Sequence, residues 1–432
     1  MLERATIRLV TRRIVPFLVL CYFLAFIDRV NVSVAALTMN RDLGFTQAVF
    51  GFGAGLFFVS YFFFEVPSNL IMQKVGARLW IARIMVSWGI IAGAMAFVQG
   101  ERSFYALRLL LGVAEAGFFP AVLFYLSYWL PATYRGRVFA YFLAAVPLAG
   151  IVGFPISGLL LQLDGVLGLK GWQWLYLLEA LPSVIVGIIA YFYLTDQPSQ
   201  AEWLPEESRI WLLQRLSAEA ERPKQARPGN WSNLLDLRVI CFAGIHFCGN
   251  LAIYGLGFFL PQIVKALGLT DTRASIVAAL PYLVGAVGML YWGPRSDRGG
   301  SRRWSIFLPF ALSAVGFLGA ASLHDPYLTI GALCLASFGC LGYAPAFWTL
   351  PTAFLSGTAS AIAIAAINSV GNLAGFLGPF TVGYLRDSTG AFSLGLFASA
   401  GVMAIGAVLV LISTRGQANA IVPAAKLEVA TE

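Results

Sequence analysis

Two acids and two arginines stand in stretches that are otherwise apolar. Asp28 and Arg29 are neighbours in the first long apolar run, and Arg108 and Glu115 lie in the fourth. A carboxyl can take up and release a proton, whereas a guanidinium stays charged and offers a planar fork that matches a carboxylate. Each such group costs about 2.5–3.5 kcal/mol to place midway along a lipid-spanning helix, so it faces a bundle interior or a wet cavity. Together the four could pass protons and seat an anion. Asp28 and Arg29 point about 100° apart on a helix and need not bond each other. Arg108 and Glu115 are seven positions apart, about 700° of rotation, which puts both on one face nearly two turns apart.

The elements that must position these groups follow from hydropathy. Of 432 residues, 59% are hydrophobic and 12% charged, against about 25% charged in soluble domains, so the chain reads as a membrane protein. A spanning helix needs about 20 mostly apolar residues. Such segments fall at 14–38, 48–73, 79–98, 103–127, 138–162 and 173–195, then at 238–264, 274–294, 304–323, 327–350, 359–385 and 391–414. The prediction is an all-α membrane protein of twelve transmembrane helices in two six-helix halves. Of the basic residues outside the spans, twenty fall on the side of the termini and six opposite: Arg41, Arg102, Lys170, Lys265, Arg273 and Arg386. That asymmetry puts both termini in the cytoplasm. Arg4, Arg8, Arg12 and Arg13 before an apolar run resemble the start of a signal peptide, but Asp28 interrupts the run and no small-residue cleavage site follows. A retained first helix is expected. All five cysteines lie in apolar segments without metal-ligand spacing, so no metal site is expected and they read as small apolar packers.

The domain boundaries expected are 1–195, a cytoplasmic linker at 196–237, a second half at 238–414 and a tail at 415–432. Within the linker, Pro205-Glu206-Glu207 opens a short helix with an apolar stripe of Ile210, Leu213 and Leu216, ended by Pro223. An internal repeat supports the division. Lys74-x-Gly76-x-Arg78-x-Trp80 recurs 224 positions later as Arg298-x-Gly300-x-Arg302-x-Trp304, and Pro155 and Pro379 stand at the same displacement. Parallel six-helix repeats are a known plan of membrane carriers.

Gly293-x-x-Ser296-Asp297-Arg298 followed by Arg302-Arg303 resembles the helix 2–3 and 8–9 loop signature of the major facilitator superfamily. The resemblance implies that Lys74, Arg78, Asp297, Arg298 and Arg302 latch helix ends on the cytoplasmic side. The first copy has Gln73 where the second has Asp297, so its latch should be weaker or use another acid. Further stretches narrow the likeness: Pro67-Ser68-Asn69-Leu70, Arg108-x-x-x-Gly112-x-x-Glu115-Ala116-Gly117-Phe118-Phe119-Pro120, Gly171-Trp172-Gln173-Trp174, Tyr254-Gly255-Leu256-Gly257-Phe258-Phe259-Leu260-Pro261 and Asn368-Ser369-x-Gly371-Asn372. Together they resemble the anion:cation symporter family, whose bacterial members import organic acids such as phthalate, tartrate and sugar acids. The resemblance runs through nearly the whole chain. Side-chain chemistry gives Arg29 the substrate anion and Asp28 a proton, the alternative being a static pair that anchors helix 1. The resemblance implies that Glu115 takes up a proton and Arg108 pairs with an acid or the substrate, the alternative being that they hold helices 1 and 4 together. Tyr61 matches a substrate-contacting position. Some sugar-acid permeases have a tyrosine two residues before the helix 1 acid; Phe26 stands there in this chain, which suits a more apolar or aromatic acid.

His246, Asn250 and Tyr254 share a face of helix 7, as a cavity lining or as bonding between helices. Asn368 and Asn372 share a face of helix 11 and could read the body of a substrate whose carboxylate is held by helices 1 and 4. Glu65 and Glu179 fall near predicted helix ends and read as structural, and Trp88, Trp292 and Trp348 as interface or packing residues. Scattered basic loops argue against nucleic acid as a partner. No P-loop or other cofactor motif is present, so an ion gradient or the substrate's own gradient must supply the energy. The expectation is a monomeric inner-membrane importer of a small carboxylate with protons. The alternatives are a proton-independent exchanger or facilitator and a non-transporting nutrient sensor, for which the tail after residue 414 is short. A membrane enzyme would need a nucleophile–base pair or a metal cluster, and only His246 and His324 are available.

Overall fold

Described by a computed structural model over residues 2–220, 236–297, 302–348, 350–351 and 358–414, the protein contains helices and no strand among those residues. Eleven helices there are long and apolar enough to cross a membrane, and a further helix, Thr358–Thr389, occupies the remaining predicted segment. In chain order the helices are α1 (Leu2–Leu43), α2 (Gln47–Val75), α3 (Ala77–Ala94), α4 (Glu101–Glu115), α5 (Phe118–Trp129), α6 (Ala132–Leu160) and α7 (Gly171–Tyr193). There follow α8 (Glu206–Ala220), α9 (Leu237–Lys265), α10 (Asp271–Asp297), α11 (Arg302–Ser322), α12 (Pro326–Phe347), α13 (Thr358–Thr389) and α14 (Ser393–Ser413). Helices suit lipid because every backbone group bonds within its own segment.

Residues cluster into two compact units. The first comprises 1–225, 255–283 and 375–392, and the second 226–254, 284–374 and 393–432. In the first, α1 packs on α6 and α7, α3 on α7, and α2 on α4. In the second, α11 packs on both α12 and α14.

Two local expectations are corrected. Helix α1 begins at Leu2 rather than near residue 14, so the basic arm is itself helical. The reason is tertiary: Ile7, Val10 and Ile14 are buried, Thr6 Oγ1 donates to Ser208 Oγ of α8 at 2.8 Å, and Arg13 lies 4.8 Å from the centroid of Trp203. For the same reason α8 buries Ser208 and Leu212, not the predicted stripe: Ile210 and Leu213 are exposed. The rest of the expected linker from 221 to 235, and the tail from 415, lie outside the described residues.

Two contacts fall at nearly corresponding positions of the internal repeat. Gln162, just beyond α6, donates to Thr272 at the start of α10 at 3.3 Å. At nearly the same displacement, Asp387 near the end of α13 accepts the backbone N–H groups of Gln47 and Ala48 at the start of α2, at 3.1 and 2.7 Å. A carboxylate there satisfies orphan donors and favours the positive end of the helix dipole.

Candidate functional site

The four ionisable groups all fall in the first unit, with Asp28, Arg108 and Glu115 buried and Arg29 nearly so, but they do not form one cluster. Arg29 of α1 pairs with Glu115 of α4, their side chains 11% and 4% exposed. Three rings surround the guanidinium, with centroids 4.8 Å (Phe26), 5.0 Å (Phe57) and 5.7 Å (Tyr61) from its central carbon. Such rings attract a cation through their negative faces. Arg108 sits on the same Phe57 ring at 5.3 Å and also on Phe258 at 5.9 Å. It donates to the carbonyl of Ala54 at 2.8 Å and, at 3.4 Å, to that of Gly53. Two guanidinium groups thus share one ring, separated by no more than the sum of their distances to it. With Glu115 ionised, the trio carries one positive charge in excess.

Asp28 is engaged elsewhere. Its Oδ2 accepts from Trp88 Nε1 of α3 at 2.8 Å and from Ser183 Oγ of α7 at 2.6 Å. No ion pair involves it among the described residues. The first helix therefore directs its acid to α3 and α7 and its arginine to α4, as neighbours about 100° apart must. Trp88 is fully buried, so of its two expected roles it takes packing. Glu179 corrects an expectation: it lies buried within α7 rather than near a helix end, and accepts from Ser157 Oγ of α6 at 2.6 Å. Glu65 is half-buried within α2.

Local backbone explains how Glu115 reaches Arg29. The predicted helix over 103–127 is interrupted: α4 ends at Glu115, Gly117 has φ +86°, and α5 starts at Phe118. That conformation is left-handed and suits glycine, and Pro120 in the first turn of α5 tolerates the absence of an N–H there. The break frees the Ala116 carbonyl, which accepts from Ser68 Oγ at 2.6 Å, and Trp80 Nε1 donates to the same hydroxyl at 2.9 Å. One turn before Glu115, a Cβ on Gly112 would collide with Ser60 Oγ and the Phe57 carbonyl oxygen. Only glycine permits that approach of α4 to α2. Ser68, Trp80 and Ser183 carry no sequence signal strong enough to mark them as site residues. Ser68 has its place in the Pro67-Ser68-Asn69-Leu70 stretch; nothing local marks Ser183.

In the second unit, His246 and Asn250 of α9 form a buried network. Asn250 Nδ2 donates to the Gly371 carbonyl at 3.1 Å and lies 3.3 Å from His246 Nε2. The hydroxyl of Tyr343 is 3.4 Å from His246 Nδ1 and donates to Asn250 Oδ1 at 3.5 Å. The His246 ring stacks on Phe347 at 5.2 Å. These contacts bond α9 to α12 and α13. Tyr254, Asn368 and Asn372 are half-buried.

At the end of the bundle that carries the N-terminus, Lys74 is exposed and Arg78 finds another acid. Arg78 Nε lies 3.2 Å from Asp196 Oδ2, and its backbone N–H donates to Asp196 Oδ1 at 3.0 Å. The side chains of Asp297 and Arg302, and all of Arg298, lie outside the described residues.

A bundle of apolar helices with buried guanidinium groups and carboxyls defines a polytopic membrane carrier. The sequence profile of the Major Facilitator Superfamily matches residues 18–379 and 242–427, and the chain belongs to that family. It is 49% identical over 414 residues, 96% of each chain, to a protein from Agrobacterium vitis named as a tartrate transporter. It is 42% identical over 405 residues, 93% of each chain, to a protein from Pseudomonas putida named as the metabolite transport protein NicT. A bacterial homologue of the human lysosomal transporter Spinster, solved facing inward and unoccupied, superposes with a TM-score of 0.79 at 16% identity, covering 94% of this chain and 97% of its own. The protein is a transporter of this superfamily, not an enzyme.

Proposed function

We propose that the protein imports a small dicarboxylate, with tartrate the first candidate, by proton symport through alternating access. The observation that carries this reading is the pair of guanidinium groups on the Phe57 ring, one of them paired with the Glu115 carboxylate. A diacid brought to Arg29 and Arg108 adds two negative charges. The buried cluster becomes neutral only if Glu115 is protonated, which also releases Arg29 to bond the substrate. Burying an unbalanced charge in lipid-facing protein is expensive, so charge balance itself couples one proton to each diacid. The name of the Agrobacterium vitis relative supports a hydroxylated diacid. Phe26, whose place in the sequence favours a more apolar acid, lies against the Arg29 guanidinium and serves to hold the arginine. The protein works as a monomer in the inner membrane with both termini cytoplasmic, the orientation that the basic residues favour.

The test is tartrate uptake into proteoliposomes. An inward proton gradient is expected to drive accumulation, and a protonophore to abolish it. Accumulation that ignores pH and follows sodium would reject proton coupling, and an absence of carboxylate uptake would reject the substrate class.

Because Asp28 is bonded to Trp88 and Ser183, we assign the coupling proton to Glu115 and give Asp28 the task of joining α1 to α3 and α7. Asp28→Asn keeps one carbonyl acceptor for those donors. It is expected to lower stability by about 1–3 kcal/mol while leaving proton-driven accumulation within about twofold of wild type. Thermal unfolding and uptake measure both. Lost accumulation with intact counterflow would move the proton to Asp28.

A further inference from the structure

Six basic residues fall on the side of the membrane opposite the termini, and three of them meet in one cleft of the first unit. Arg41, Lys265 and Arg386 line a cavity of about 460 Å³ together with the amides Asn40, Gln47 and Gln262. Those residues come from the end of α1, the start of α2 and the ends of α9 and α13. None of the lining residues is acidic. Basic residues are sparse on this side of membrane proteins as a rule, so their convergence needs a reason.

The buried amides point to one. Asn40 is 6% exposed and Gln262 8% exposed. Both amide atoms of Asn40 and the Nε2 of Gln262 have no hydrogen-bond partner among the described residues. Leaving such a group unsatisfied costs about 1–3 kcal/mol, and amide N–H groups are donors that an anion would satisfy. The neighbouring acids are already engaged. Asp42 accepts from Trp172 Nε1 at 3.2 Å and lies 3.5 Å from Arg41, while Asp271 lies 2.5 Å from Lys265. Asp387 caps the start of α2. Arg386 rests on the Phe392 ring at 5.1 Å and has no carboxylate within 4 Å among the described residues.

We propose that this cleft is a second carboxylate-binding site, which collects the anionic substrate at the mouth before it reaches Arg29. Resting on the transport reading above, the inference adds a place where the anion is first held. Asn40 follows Arg29 by eleven positions on the same helix, about 16 Å along its axis, so the two sites are separate. Arg386, with no carboxylate within 4 Å among the described residues, leaves the cleft a net positive charge, which raises the local concentration of an anion and the rate of its capture. Its volume is within the range of small-molecule sites.

Equilibrium dialysis of tartrate against the purified full-length chain tests this. Wild type is expected to show two classes of site, the tighter removed by Arg29→Ala and the weaker by Arg386→Gln. Gln262→Leu, which keeps every cation, is expected to weaken the second class about fivefold to tenfold. Thermal midpoints equal to wild type would confirm that the two cleft variants are folded. A single class, lost in Arg29→Ala and unchanged in both cleft variants, would overturn the outer site and leave the transport reading standing. Binding that survives Arg29→Ala but disappears in Arg386→Gln would support the outer site and overturn the deep one. No binding of tartrate by wild type would count against both.

Discussion

Replacing Glu115 with Gln is expected to abolish proton-driven accumulation of tartrate while leaving exchange intact. Glutamine imitates the protonated carboxyl in shape and hydrogen bonding but cannot release a proton. The Arg29–Glu115 ion pair is then lost in every state, and Arg29 is permanently available to the substrate. Counterflow in proteoliposomes should therefore proceed within a fewfold of wild type, and binding should become less dependent on pH. Accumulation under an inward proton gradient should fall at least tenfold, toward the level set by equilibration. If Glu115→Gln accumulates tartrate as wild type does, Glu115 is a structural partner of Arg29 and the coupling proton is elsewhere.

The second large effect belongs to Arg29. Its loss in Arg29→Ala removes the fork from the diacid and also leaves Glu115 buried without its cation, a change that costs about 3–5 kcal/mol when a buried pair is broken from one side. The tighter class of binding should disappear and the thermal midpoint should drop. The double variant Arg29→Ala with Glu115→Gln removes the stranded charge, so it should regain most of the stability and none of the tighter binding. That contrast separates recognition from folding. Arg29→Lys keeps the charge but not the planar fork, and it should bind at least tenfold more weakly than wild type. The tighter class of tartrate binding retained in the folded double variant would show that Arg29 does not hold the carboxylate.

Much of the fold is legible in the chain because lipid imposes a simple code. Each of the twelve predicted apolar segments is met by a helix, since a backbone in hydrocarbon must satisfy itself locally. The errors lie where packing outranks hydropathy. Helix α1 continues back to Leu2 because its polar end packs on α8 through Thr6 and Ser208. The fourth segment is interrupted at Gly117, and here a local signal exists: a glycine three residues before Pro120.

The site shows the same division. Residue type alone determines which groups are worth attention: Asp28, Arg29, Arg108 and Glu115 are costly in lipid wherever they point, so their presence by itself declares a function. Helical periodicity also dictates that Asp28 and Arg29 diverge. It cannot name their partners. Arg29 meets Glu115 across 86 positions of sequence, and Asp28 meets Ser183 across 155. The first pairing depends on how closely Gly112 lets α4 approach α2, the second on which face α1 turns to α7. Likewise, Asp196 pairs with Arg78 where the motif offers Gln73. The outer cleft is legible in sequence only as three scattered cations; α1, α9 and α13 bring them together. Composition and period act along one helix; partnership is a property of the contacts between helices, and only the tertiary structure decides those.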